Sequence, residues 1–563
     1  MMMKTTRMAA VAAGMMIGSV WAATSVRAAD ARCFFRPGDT WVLSGDSITY
    51  IDLFRQTVQD ALDHFHPGHG MRIVNTGVWG QLAQEAKGKG LELKPSVVSI
   101  MLGMNNVIHH DYPVVQDFEK GATVYGENIR RQVRQYKAQG AAVVLMAPTL
   151  SDSTENSFFT PWNTEEGLRR YGEEIRRIAD EEQCYFIPMA DEFEAAKSSL
   201  KALQTFITDG VHPYGWGQYE IARSLIHHLN VAAPFPKTDE PRGFDATDIP
   251  ANDFTFTVRK RFAAAKDEAP ELAIAASEPG PAKVRWSVEG TDLRGEETVT
   301  FGEGPAVFRP AVPAAGLPGG AGRISRMIVS VTPADGRARL AVVDLARTRV
   351  IRMADGRCGG EVRTDDPRPE GPLVGTWKIE EDGADLWISG RMNASSFPAR
   401  PTNSSECWMN SSGMNGVMMM LDLRPADRFA DNNFDRDMHM VCFSVCNRPW
   451  SVLPLAWEGR RLQNCLYASV NPVDGGYEWR LGLRGYVSNY TKFDIRKFDH
   501  FGINMIFDDA NERGVIGRYP VMPYPDLKDM TPERRLNQTI GIDRKGDVPQ
   551  VAGETTNVGI YPL

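Results

Sequence analysis

Four separated stretches of the chain carry residue types that, brought together, can attack an acyl carbon. The first is Gly45-Asp46-Ser47-Ile48-Thr49, which follows an apolar run and precedes a segment with helical periodicity. A serine at such a junction lies beside free backbone N–H groups and the positive end of a helix, so an anion forming next to its hydroxyl is stabilised. Taken alone, the same junction reads more readily as a helix N-cap than as a nucleophile. The second stretch is Asp209-Gly210-Val211-His212-Pro213. A serine hydroxyl needs a base to take its proton, and the base needs a group that fixes its tautomer. His212 suits the first role and Asp209 the second, although Asp-Gly and His-Pro also favour a plain turn. The third is Leu102-Gly103-Met104-Asn105-Asn106, where a side-chain amide can donate to an oxyanion. The fourth and weakest is Asn75-Thr76-Gly77-Val78-Trp79-Gly80, in which a glycine lets a backbone N–H approach a substrate oxygen unobstructed.

Short apolar runs alternate with helix-period segments up to about residue 235 and would position these stretches. The runs Thr40–Ser44, Met71–Asn75, Val97–Leu102, Ala141–Ala147 and Cys184–Ile187 read as strands. Between them, Tyr50–Phe65 places Ile51, Phe54, Val58, Leu62 and Phe65 on one helical stripe, and Phe118–Gln139, Thr164–Glu182 and Gly215–Leu229 read as further helices. Regular strand–helix alternation predicts an α/β unit with a parallel sheet covered on both faces. Ligands of such sheets sit beyond the carboxyl ends of the strands, where the loops after Ser44, Asn75 and Leu102 lie.

Block by block, this set resembles the SGNH hydrolases, also called the GDSL esterase/lipase family, over roughly residues 38 to 230. Gly45-Asp46-Ser47 resembles the nucleophile block, Gly80 falls at the family's oxyanion glycine, and Gly103–Asn106 and Asp209–His212 resemble the remaining two blocks. The resemblance implies a flavodoxin-like three-layer fold and hydrolysis through an acyl-serine intermediate, with no metal or other cofactor. It makes Ser47 the nucleophile, His212 the base and later acid, and Asp209 its orienting carboxylate. The oxyanion donors it implies are the Ser47 and Gly80 N–H groups and the Asn105 side chain. Asn106 departs from the pattern, because the family usually has Asp there. Asn is tolerable if that residue braces a loop and costly if its charge tunes the site.

Beyond this unit the character of the chain changes. Residues 235 to 250, rich in Pro and Asp, read as a linker. Alternating strands follow at Phe254–Val258, Val284–Val288, Ile324–Val331 and Leu340–Leu345, predicting a β-sandwich linker domain over 236–360. A turn-rich break at Ala354–Pro372 introduces a second β-sandwich over 361–563, with strand runs near Asp385–Met392, Gly416–Arg424 and Phe501–Asp509. This last region is similar in pattern to the family 9 carbohydrate-binding modules and the related DOMON-like sandwiches. Trp408, Trp450, Trp457 and Trp479 are its candidate sugar-stacking residues, although most tryptophans in a sandwich are core.

The first 28 residues stand outside the hydrolase unit of 29–235. Lys4 and Arg7 precede an apolar run from Met8 to Ala22 and small residues ending at Ala28, the order of a cleavable secretory signal peptide. That run is shorter than the roughly 20 residues a spanning helix needs, so an exported, periplasmic or secreted protein without stable membrane insertion is expected. The 563 residues carry 42% apolar and 24% charged side chains and a net charge of -8, which disfavours nucleic-acid partners. His64, His66 and His69 read as a solvated helix end rather than a metal site. The seven cysteines form no dense framework, and Cys442 and Cys446 read as packing residues or one bridge. The expectation from all this is an exported serine esterase that removes acyl groups, chiefly O-acetyl, from carbohydrate. The alternatives are a GDSL-type lipase, thioesterase or arylesterase, and a non-catalytic glycan-binding protein.

Overall fold

The computed structural model describes residues 31–562 apart from 110–117, 152–163, 200–206, 208–210, 214–215, 250–252, 260–261, 264–268, 313–316, 318–323, 335, 349, 365–370, 395–415, 424–437, 445–465, 486–492, 512–513, 521–539 and 546–554. Its first unit is a five-stranded parallel sheet of β1 (Thr40–Gly45), β2 (Arg72–Asn75), β3 (Val97–Met101), β4 (Ala142–Met146) and β5 (Tyr185–Ile187), in the order β2-β1-β3-β4-β5. This is the doubly wound order that reverses direction at β1 and β3. Strands covered on both faces read as continuous apolar runs, as Val97–Met101, buried throughout, does.

Among the described residues, seven α-helices accompany the sheet: α1 (Ser47–Tyr50), α2 (Leu53–Phe65), α3 (Met104–His109), α4 (Phe118–Lys137), α5 (Thr164–Glu181), α6 (Met189–Ser199) and α7 (Trp216–His228). The single helix expected over Tyr50–Phe65 is broken at Asp52, which adopts a left-handed φ of 72°. Asn75 Nδ2 donates to Thr49 O and to Asp52 Oδ1, both at 2.6 Å, and Arg55 pairs with the Asp52 carboxylate. These bonds offset the strain of that backbone and hold α1 as a separate turn.

The second unit pairs a six-stranded sheet with a three-stranded one. β6 (Phe254–Val258), β8 (Leu272–Ala276) and β11 (Ala306–Phe308) form the smaller sheet. The larger holds β7 (Phe262–Ala263), β9 (Gly280–Val288), β10 (Arg294–Phe301), β12 (Ile324–Thr332), β13 (Arg339–Thr348) and, from the far end of the chain, β25 (Thr555–Pro562). One apolar cluster, including Phe254, Leu272, Trp286, Met327, Val329 and Val343, is enclosed between them.

The third unit lies between β13 and β25 in the chain. β14 (Val350–Arg352), β18 (Gly416–Asp422), β19 (Met438–Ser444), β22 (His500–Asn511), β23 (Gly514–Pro520) and β24 (Ile540–Asp543) form one sheet. β15 (Arg357–Arg363), β16 (Leu373–Asp382), β17 (Asp385–Asn393), β20 (Leu466–Val473) and β21 (Gly476–Leu483) form the other, and a second enclosed cluster includes Trp377, Ile388, Met419, Trp479 and Phe507.

Three expectations about organisation change. β25 pairs with β13 from Ala341↔Pro562 to Thr348↔Thr555, so the expected 361–563 domain is divided: the strands from β14 to β24 form an insertion, and β25 closes the discontinuous second unit. The expected break at Ala354–Pro372 contains β15. The expected linker packs onto the first unit: Arg242 forks onto the Asp39 carboxylate at 2.7 and 3.1 Å, and Phe244 contacts the rings of Phe34, Tyr185 and His228.

The first and second units share a core. On β12 and β13, Met327, Val329 and Val343 face their own sheet pair, whereas Ile328, Leu340 and Val342 join the cluster of the α/β unit. Beside this apolar patch, the buried Arg326 meets the buried Asp60 of α2, donates to Gln56 Oε1 at 2.8 Å and pairs with Glu289. His64 lies buried between Ser287 Oγ at 2.7 Å and Ser330 Oγ at 2.8 Å. It is therefore a contact residue and not part of a solvated helix end. His69 is also buried, and His66 stacks on Phe235 at 4.0 Å.

Candidate active site

Ser47 opens α1 directly after β1, at the carboxyl edge of the sheet. It is not the helix cap. Asp46 takes that role, its side chain accepting from Ile48 N at 3.0 Å, and Ser47 Oγ is left free for another partner. That partner is His212: Ser47 Oγ lies in hydrogen-bond contact with His212 Nε2 at 2.8 Å across 165 positions of sequence, and both residues are largely buried. With its proton on Nδ1, the imidazole accepts the hydroxyl proton at Nε2. Burial pushes the Asp46 carboxyl up to about 6, against the opposing pull of the Ile48 N–H and the His212 ring. Asp209, the expected orienting carboxylate, lies outside the described residues.

The loop carrying His212 is tied to the serine by a residue that sequence reasoning passed over. Gln218, fully buried on α7, donates through Nε2 to Pro213 O at 3.0 Å and to Ile48 O at 3.2 Å. Its Oε1 accepts from Phe54 N at 3.2 Å. One amide thus spans the His212 loop, the serine turn and the start of α2. An isolated Gln on a helix carries no local signal; only its burial identifies it.

The loop after β2 crosses the serine turn closely. A Cβ on Gly77 would lie 2.6 Å from Tyr50 N and 2.9 Å from Asp46 O, so no larger residue fits there. Gly77 N donates to Asn75 Oδ1 at 2.8 Å and Val78 N to Gly45 O at 3.2 Å, which fixes the loop. Gly80 has a φ of 70°, and Trp79 beside it lies 5.4 Å from the His212 ring, centroid to centroid. Asn105 is buried on α3, and its Nδ2 donates to Gln81 O at 3.3 Å, which places it against the same loop.

Asn106 braces that loop. Its Oδ1 accepts from Ala83 N and its Nδ2 donates to Gln84 Oε1, both at 3.0 Å. The second bond uses the amide donor that an aspartate lacks.

The sugar-stacking candidates of the third unit separate differently. Trp479 is 2% exposed, with its ring 5.8 Å from Phe507, and is a core residue rather than a platform. It alternates with exposed neighbours on β21, and its inward register decides the matter. Trp408, Trp450 and Trp457 lie outside the described residues. Among the described residues, no cluster of three or more His, Cys, Asp or Glu could hold a metal ion, and no helix is long and apolar enough to cross a membrane.

Residues 43–218 match the model of the GDSL-like Lipase/Acylhydrolase family. The segment is a hydrolase domain of the GDSL/SGNH type, and the protein that carries it is a hydrolase of ester bonds. No curated protein matches the chain. Among solved structures, a catalytic mutant of the acetylxylan esterase Axe2 from Geobacillus stearothermophilus is 24% identical, with 99% of that chain and 36% of this one covered and a TM-score of 0.30. A second structure of Axe2 is 25% identical over 95% of its chain and 34% of this one, TM-score 0.29. LAE5, an alpha/beta hydrolase from the metagenome of Lake Arreo, Spain, is 20% identical over 99% of its chain and 36% of this one, TM-score 0.29.

Proposed function

We propose that the protein is an exported serine esterase that removes O-acyl groups, chiefly acetyl, from carbohydrate. The observation that carries the catalytic part is the 2.8 Å bond from Ser47 Oγ to His212 Nε2 within a GDSL-type domain. Ser47 Oγ attacks the acyl carbon as His212 takes its proton, and Asp209 holds the imidazolium. The oxyanion is received by the N–H groups of Ser47 and Gly80 and by Asn105 Nδ2. His212 returns the proton to the departing sugar hydroxyl, leaving an acyl-serine. Water, deprotonated by His212, then attacks that acyl carbon, and the carboxylic acid and free Ser47 result. The charged, apolar, small-residue order of residues 1–28 supports export. Each of the two later units encloses one apolar cluster between two sheets, which supports reading both as β-sandwiches; reading the third as a sugar-binding module rests on its resemblance in pattern to the family 9 carbohydrate-binding modules.

Wild type, Ser47→Ala and His212→Ala compared on alkyl acetates and acetylated pyranosides test the reading. The two variants should lose at least a thousandfold in kcat, and a fluorophosphonate should label Ser47 in the wild type only. Equal turnover by wild type and Ser47→Ala on every ester would falsify it.

A further inference from the structure

Among the described residues, few large apolar side chains stand exposed, and three of them, Tyr50, Val78 and Trp79, crowd the mouth of the serine site. Tyr50 is 54% and Trp79 53% exposed, their ring centroids are 5.6 Å apart, and the ring planes cross at 57°. Tyr50 is the last residue of the turn that Ser47 opens, and the Trp79 ring lies 5.4 Å from that of His212. The loop is not draped there loosely: the close approach of Gly77 to Tyr50 N and the Val78 N–Gly45 O bond fix where Trp79 stands. Leaving two aromatic rings in water forgoes their burial, and such exposed clusters mark binding surfaces.

We propose that Tyr50 and Trp79 form the subsite for the sugar ring that bears the scissile ester. The proposal rests on the esterase reading above and narrows its substrate to pyranoside esters. Rings crossing at this angle make a corner, not a stack, so one ring lies under a flat ligand and the other closes its side. An acyl chain is best held in an enclosed apolar groove, and these faces are open. A pyranose has an apolar C–H face and a rim of hydroxyls. Tyrosine and tryptophan match both, with an apolar body and a polar tip. The leaving alcohol, not the acyl group, therefore occupies the corner, which places specificity on the catalytic unit itself.

Wild type, Trp79→Ala, Trp79→Phe and Tyr50→Ala would be compared on peracetylated methyl pyranosides, vinyl acetate and vinyl octanoate. Trp79→Ala should lower the ratio of kcat/KM for pyranoside over vinyl acetate at least tenfold, chiefly through KM. Tyr50→Ala should lower it at least threefold, and Trp79→Phe should stay within threefold of wild type. An unchanged ratio in both alanine variants would overturn the proposal. So would a wild-type preference for vinyl octanoate that Trp79→Ala abolishes, because the corner would then hold the acyl chain. Saturation-transfer NMR of the same pyranosides with Ser47→Ala, alone and combined with Trp79→Ala, reads the contact without turnover. Transfer to the ring C–H protons should appear in the first protein and fall at least fivefold in the second; transfer absent from both, or equal in both, would overturn the subsite. A wild type that cleaves no ester would sink the esterase reading, and the NMR comparison would still decide the subsite.

Discussion

At the scale of the residue, the serine site depends on groups that never touch a substrate. Gln218 joins Pro213 O, Ile48 O and Phe54 N, so Gln218→Ala should let the His212 loop drift from Ser47. Misplacement on the order of 1 Å can cost about a hundredfold in rate, and a tenfold to hundredfold fall in kcat with KM little changed is expected in steady-state kinetics. Asn106→Asp tests the opposite case. Aspartate still accepts from Ala83 N but loses the donor to Gln84, an exchange of one hydrogen bond worth about 1 kcal/mol. Its kcat/KM should stay within about threefold of wild type, and a larger loss would show that charge at this position matters. The contact of Ser47 with His212 was foreseeable in sequence because each sits in a short block whose residue types suit a nucleophile and its base. Gln218 was not, since a buried amide acts through distant partners and leaves no local pattern.

At the scale of the element, α2 serves two neighbours: its start abuts the serine turn, and its side packs on β12. The Arg326–Asp60 pair is buried on both sides, and such pairs are costly to break from one end. Arg326→Leu should lower stability by about 3–5 kcal/mol in denaturant titration, because it strands Asp60, and Asp60→Leu in the same chain should recover most of the loss. The interface also titrates. Burial, reinforced by the Arg285 guanidinium, holds the His64 imidazole down to about 4. A ring kept neutral when folded and free to protonate near 6.5 when unfolded stabilises the fold fully above 6.5, and that contribution is lost as pH falls toward about 4. That contribution should fall by about 2 kcal/mol between pH 6.5 and 5, read as the change over that range in the stability difference between wild type and His64→Gln, because the raised carboxyl of Asp60 in the same interface adds a slope of opposite sign to both proteins. The helical stripe of α2 was visible in sequence, but its second neighbour was not. β12 is covered on both faces, so its apolar residues show where it is buried without showing against what.

At the scale of the whole molecule, the second unit is closed by a strand from beyond the third. Strand pairing between Thr348 and Thr555 leaves no mark in local periodicity, and a division at residue 360 cut through it. Removal of 555–562 should leave β13 and β7 with open edges, which pair readily with other chains. Soluble oligomers in size-exclusion chromatography are expected, with faster amide exchange in β13 and little change at Ser47. The same topology gives the third unit two attachments that lie side by side, since it leaves after Thr348 and returns at Thr555 on adjacent strands. A module on one flexible linker sweeps a wide volume, whereas one held at both ends is confined near its anchor, and its local concentration at a fixed target rises accordingly. The third unit therefore cannot stray far from β13 and β25, and motions of the second unit, on which α2 of the serine unit also packs, carry it along as one load.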